Sequence, residues 1–365
     1  MSGAPSLVDW ELAARTAKRL VRSGPEVTAD DAAQAVEQLL QLSDEAESHV
    51  RALTKLTPLT TTVPAVRVVD RGAWIDVNVS GMDSLITPLA KRLVESQDHP
   101  SNALAVAIGS RVTGAQAGAV LSFVASRVLG QYEIFGSGGE LLLVAPNIVE
   151  TERKLGVDPH DFRLWVCLHE VTHRLQFTAV PWLDGYLRDQ IAEFIEVTDT
   201  SADVLREQLG ELVRNIAYSV RRGGSGDDEA ASEGLLALIK SPEQRAILDR
   251  LTVMMSLVEG HAEYVMDEVG PEVVPSVAAI RKRFNQRRKG RGPVDRILRR
   301  LLGLEAKMKQ YADGRRFVSG VVELVGIDGF NAVWSGPPAL PTMEELLDPA
   351  AWVARVHGPA RALAT

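Results

Sequence analysis

The sequence predicts a mainly α, α+β fold, rich in helix with a small sheet beside one central helix. Three observations carry that prediction. Apolar residues recur at helical spacing over much of the 365-residue chain. Strand-like apolar runs are few and short, chiefly Val66 to Val69 and Glu140 to Ala145. The segment from Leu164 to Phe177 is apolar on nearly all sides of a helical wheel, the pattern of a helix inside a core.

In chain order, residues 7–56 read as two or three amphipathic helices. Asp9 and Thr28-Ala29-Asp30-Asp31 are capping starts, and Val36, Leu39 and Leu40 recur at helical spacing. Thr57 to Pro64 is a connector, and Trp74 to Val94 mixes a turn with a helix ending near Lys91-Arg92. Residues 101–131 form one long helical region whose Gly114, Ala117, Gly118 and Ala119 let another helix approach closely. These glycines lack the Gly-x-x-x-x-Gly-Lys-Ser/Thr pattern of a phosphate loop. A turn at Gly136 to Gly139 precedes the second strand, which Pro146-Asn147 halts.

Asp158-Pro159-His160-Asp161 opens the central helix with an Asp cap, Pro at the first position and an acid three residues on. It runs to about Thr178, before Pro181, with Trp182 and Tyr186 just beyond, either core or a pocket wall, core being the default. Ser201 to Arg222 reads as a helix, and Gly223 to Glu229 has linker composition. Ser241-Pro242-Glu243 caps a long helix reaching about Val269, stopped by Gly270-Pro271. A basic loop at 281–300, a helical pair near 301–311 and 315–325, and a proline-rich tail close the chain. Tyr311, Arg315 and Trp334 are candidates to line a cleft.

The central helix contains His169-Glu170-Val171-Thr172-His173. Residues i and i+4 lie about 40° apart around a helix, so the two histidines project to one side, a turn apart. Neutral imidazole is a good zinc ligand, and Glu170 is placed to take a proton from a water beside such an ion. Histidines in an apolar helix need partners, and a metal supplies them. A catalytic zinc takes a third protein ligand. The long second helix offers Leu257-Val258-Glu259-Gly260-His261-Ala262-Glu263-Tyr264. Glu259 and His261 sit about 200° apart on a helix, so they cannot face one ion together. Glu259 is the favoured ligand because Glu263 lies one turn on along the same face, where it can accept from a zinc-bound imidazole. His261 is the alternative.

The formal charge of −8 and a single interleaved aromatic, Phe284, argue against a nucleic-acid partner despite ten basic residues between Arg281 and Arg300. The N-terminus has neither the basic start nor the apolar core of a signal peptide, and no run reads as a membrane span. The one cysteine, Cys167, allows no intrachain disulfide. A cytoplasmic protein without a membrane partner is expected.

The two motif segments together resemble the gluzincin pattern of zincin metallopeptidases, in which a Glu-Gly-x-Ala-x-Tyr helix supplies the third ligand. The wider chain is similar to a bacterial, largely actinobacterial family of zincin-like hydrolases, some of them associated with biosynthesis of a deazaflavin coenzyme. Val128-Leu129-Gly130-Gln131-Tyr132, both motif helices and the Trp334 to Pro341 tail carry that similarity. The resemblance implies Zn2+ held by His169, His173 and Glu259, Glu170 as general base, and a peptide or protein substrate. It also implies that Leu141 to Ala145 is the strand beside the active cleft. Residues 1–135 would then be an N-terminal helical region and 136–365 a zincin-like catalytic region, or both one compact domain. Glu259 follows His173 by 86 residues, more than in compact zincins. The competing reading is a zincin fold kept as a scaffold or binding protein, its metal structural or absent.

Overall fold

A computed structural model describes residues 8–59, 65–95, 103–136, 139–197, 241–289 and 304–358. The expected helix at 201–222, the linker at 223–229, the basic residues from 290 to 300 and most of the 57–64 connector lie outside them.

The chain opens with α1 (Trp10–Leu20) and α2 (Ala29–Thr54). Their caps are those expected: the Asp9 carboxylate accepts from Leu12 N–H at 2.8 Å, and the Thr28 hydroxyl from Asp31 N–H at 3.1 Å. After β1 (Val66–Val69) come α3 (Arg71–Glu95) and α4 (Ala103–Ala125). The glycines of α4 do what small residues permit: a Cβ on Gly114 would lie 2.4 Å from the Asp9 carbonyl oxygen, and one on Gly118 2.5 Å from that of Ala13. Thus α1 and α4 touch backbone to backbone.

Strands β2 (Gly130–Glu133) and β3 (Glu140–Val144) complete a three-stranded sheet ordered β1-β3-β2, with β3 parallel to β1 and antiparallel to β2. β3 is buried on both faces, so its sequence is continuously apolar. Leu141 and Leu143 join the main core, while Leu142 and Val144 meet α1, α3 and α4 in a smaller one, as alternation along a strand requires. Strands from both sides of residue 135 thus share one sheet.

The chain then folds into α5 (Ala145–Leu155), α6 (Pro159–Ala179), α7 (Trp182–Glu196), α8 (Pro242–Glu268), α9 (Gly270–Val273), α10 (Val277–Lys289), α11 (Leu304–Phe330) and α12 (Pro349–His357). The main core lies between α2, α6, α8 and α11, with Phe162, Leu168, Leu257 and Phe317 fully buried in it. α6 is the central helix expected from its sequence.

Several expectations are corrected. Gly130-Gln131 are strand, not the end of a helix, because β3 offers them a hydrogen-bonding edge. Pro146 opens α5 rather than merely stopping β3, since a helix's first turn needs no N–H there. Asp70 caps α3 by accepting from Ala73 N–H, so the expected turn near Trp74 is helix from Arg71. Arg281 to Lys289 are helical rather than loop, and the expected last pair is one helical run broken at Gly326 (φ 70°). Asp313–Ser335, with mean hydropathy 1.3, is long and apolar enough to cross a membrane, contrary to the expectation; 39% of its most apolar window is buried, and its Gly314 packs on α8.

Candidate metal centre

The two sides of this centre come from α6 and α8, helices that pack together in the main core. Asp158 accepts from Asp161 N–H at 3.0 Å to start α6. Ser241 and Gln244 form a reciprocal capping box that starts α8. Gly260 lets α8 meet α11: a Cβ there would stand 2.3 Å from the Gly314 carbonyl carbon. That contact holds the Glu259 turn of α8 against its neighbours.

His169 and His173 point their Nε2 atoms at each other, 3.2 Å apart. Glu259 Oε2 completes a triangle, 3.6 Å from His169 Nε2 and 3.7 Å from His173 Nε2. Ligands about 2.0–2.1 Å from a tetrahedral zinc are roughly 3.3 Å from one another, so the donor set fits that ion. The structure therefore brings Glu259 to the imidazoles. His261 lies elsewhere: it is fully buried, its ring stands between Phe330 (5.2 Å) and Trp334 (5.5 Å), and its Nδ1 accepts from Gln176 Nε2 at 3.0 Å. Burial, with His173 adding, pushes its pKa down to about 3.

Glu170 is buried beside this triangle. Burial, reinforced by Glu259, pushes its carboxyl well above the usual carboxylate range. A cation among the ligands would offset both effects, since opposite charge favours the ionised form. Its neighbour is Gly130 on β2: a Cβ there would come within 2.6 Å of Glu170 Cγ and Cδ. The strand against the motif helix is therefore β2, where Tyr132 also stacks on Phe177 at 5.7 Å. β3, expected in that place, is the inner strand of the sheet.

The histidines' other nitrogens are also engaged. His173 Nδ1 meets Gln176 Oε1 at 2.9 Å, and His169 Nδ1 lies 3.3 Å from Met266 Sδ. The supporting place beside His173 thus goes to Gln176, while Glu263 lies 3.8 Å from Arg281. Arg281 and Arg315 both pair with Asp267 on the next turn of α8. Gly130, Gln176 and Met266 were not anticipated. Gln176 had a sequence signal, falling one turn beyond His173; Gly130 lay in a stretch that carries the family similarity, but nothing there signalled its contact with Glu170, since only tertiary folding sets β2 against α6.

Trp182 donates to the Trp334 carbonyl at 2.8 Å, and Trp334 is buried, which makes both core residues rather than cleft walls. The side chain of Tyr311 lies outside the described residues. Cys167 is sealed in α6, where burial pushes its thiol up to about 12 and leaves it no thiolate role. A second group, Asp158, His160 and Asp161, lies at the start of α6. Its carboxylates already accept from backbone N–H groups, Asp161 from Ser276 and Asp158 from Asp161.

A family profile described as zincin-like metallopeptidase matches residues 8–353. The chain belongs to the zincin-like metallopeptidase family. A crystal structure of a "putative hydrolase with a novel fold" from Chloroflexus aurantiacus is similar throughout: 30% identity, TM-score 0.69, covering 96% of this chain and 99% of that one. No curated protein matches significantly. Within this zincin-like chain both ligand helices and the sheet lie inside the matched span.

Proposed function

We propose that this zincin-like chain is a zinc-dependent hydrolase of peptide bonds, with His169, His173 and Glu259 holding the metal and Glu170 acting as general base. One observation carries the reading. Three ligand side chains converge with a second acid, Glu170, beside them, and two of the three reach solvent: the side chains of His169 and Glu259 are 23% and 21% exposed, against 10% for that of His173. A structural zinc site is closed by four protein ligands, whereas a catalytic one keeps a position open.

A zinc ion held by His169, His173 and Glu259 would supply Lewis acidity to a water and to the scissile carbonyl. Glu170 accepts the proton of the attacking water and passes it to the leaving amine. Its burial keeps bulk water from competing for that proton.

The test joins metal content to turnover. Wild-type protein should hold about one zinc per chain, and Glu259→Ala should hold much less. Glu170→Gln should keep the metal while hydrolysis of a peptide library falls by about 10²–10⁴-fold. A Glu170→Gln protein as active as wild type would overturn the assignment.

A further inference from the structure

Behind the ligands, four groups join α6 to α8. His173 Nδ1 lies 2.9 Å from Gln176 Oε1, and Gln176 Nε2 lies 2.9 Å from the Val258 carbonyl oxygen and 3.0 Å from His261 Nδ1. Gln176 and His261 are fully buried, and His173 is 8% exposed.

One member of this chain has no choice of role. The Val258 carbonyl can only accept, so the Gln176 group facing it is the NH₂. Turning the amide over would set two acceptor oxygens together in a place without solvent to relieve them. The amide oxygen therefore faces His173, and it too can only accept. His173 Nδ1 must carry the hydrogen. A neutral imidazole protonated at Nδ1 has its lone pair on Nε2, and Nε2 is the atom that faces His169 and Glu259. The second amide N–H meets His261 Nδ1, which accepts it and keeps its own hydrogen on Nε2.

We propose that Gln176 is a positioning residue that fixes His173 in the Nδ1–H tautomer, presenting the Nε2 lone pair to the metal. The inference rests on the functional reading above and extends it. The Val258 carbonyl sets the direction of the amide, and Val258 directly precedes Glu259. One amide thus orients a ligand on α6 and ties it to the turn of α8 that carries another. His261 serves this arrangement as the second acceptor, which accounts for a buried histidine outside the ligand triangle.

The tautomer can be read without metal or substrate. In the full chain labelled with 15N-histidine, stripped of metal and held at pH 8, His173 should show the Nδ1–H pattern. Gln176→Met, of similar volume but without the hydrogen bonds, should give a mixed or Nε2–H tautomer. Its zinc dissociation constant, measured by chelator competition, should rise roughly 10–100-fold. Gln176→Glu keeps an acceptor toward His173 but loses the donors to the Val258 carbonyl and His261 Nδ1, so it should keep the Nδ1–H tautomer at the cost of a lower melting temperature. An Nε2–H signal in wild type overturns the inference, as does a Gln176→Met protein with wild-type tautomer and affinity. If Gln176→Met fails to fold, the wild-type spectrum still decides. Absence of zinc binding by wild type sinks the functional reading instead, and the metal-free spectrum separates the two failures.

Discussion

At the scale of single residues, the site is shaped as much by what is missing as by what is present. Gly130 contributes no side chain, and that is its role: the Glu170 carboxyl occupies the space a Cβ would need, at 2.6 Å. Glu170 is 6% exposed and cannot swing into solvent to make room. Gly130→Ala should therefore displace the base without touching any ligand. The expected result is hydrolysis reduced by at least about tenfold, an off-geometry cost of roughly 1.4 kcal/mol or more, with zinc content unchanged. Metal loss in that variant would show that β2 supports the ligands rather than the base.

Among the elements, the pair α8 and α11 is the joint on which the third ligand depends. Gly260 and Gly314 face each other so closely that a Cβ on Gly314 would lie 2.0 Å from the Ser256 carbonyl oxygen. Backbone atoms cannot turn aside as a flexible side chain can. Gly260→Ala should cost about 1–3 kcal/mol of stability, seen as a lower melting temperature, and should weaken zinc binding because Glu259 adjoins it. A helix pair that tolerates the methyl group with unchanged melting would show that α11 can slide away.

The C-terminal helix α12 depends on a different device. Arg355 pairs with both oxygens of Glu345, at 2.6 and 2.8 Å, and donates to the Pro338 and Leu340 carbonyls. The Arg355 hydrogen bonds hold the Glu345 carboxyl below its ordinary range, against the opposing effect of burial. A depressed carboxylate contributes stability above its unfolded value, about 4.3, and loses it as pH falls through the folded one. The melting difference between wild type and Glu345→Gln should thus be full at neutral pH and fade below about pH 4. Arg355 is 39% exposed, so solvent screening should keep that difference to about 1 kcal/mol or less. A difference that persists unchanged into acid would show the ion pair to be irrelevant.

For the molecule as a whole, the proposed metal centre would act as a clamp between distant parts of the chain. Its ligands lie on α6 and α8, while its base is packed against a strand from before residue 135. An ion that binds only the folded chain adds stability by mass action, about 4 kcal/mol at a thousandfold excess over its dissociation constant. Chelation should therefore lower the melting temperature, and added zinc should restore it. His169→Ala should melt at one temperature with or without chelator. A wild-type protein indifferent to chelator would separate the fold from the metal altogether.

Residues read locally told much of this story, because local chemistry sets it. The Asp9, Thr28, Asp158 and Ser241 caps fix helix starts within their own first turns. Helical spacing alone placed His169 and His173 on one face and set Glu259 and His261 on different ones. What escaped were contacts between segments far apart in sequence. Gly130 read as helix because nothing nearby reveals that β3 gives it an edge. Gln176 escaped because the Val258 carbonyl that directs it toward His173 lies 82 residues away in sequence. The sequence by itself determined the pair of imidazoles, the acid between them and the helix that bears all three, since a 3.6-residue period suffices for that. Only the tertiary structure brought Glu259 rather than His261 to the imidazoles, put Gln176 beside His173 and set β2 against Glu170, because each depends on which surfaces pack together.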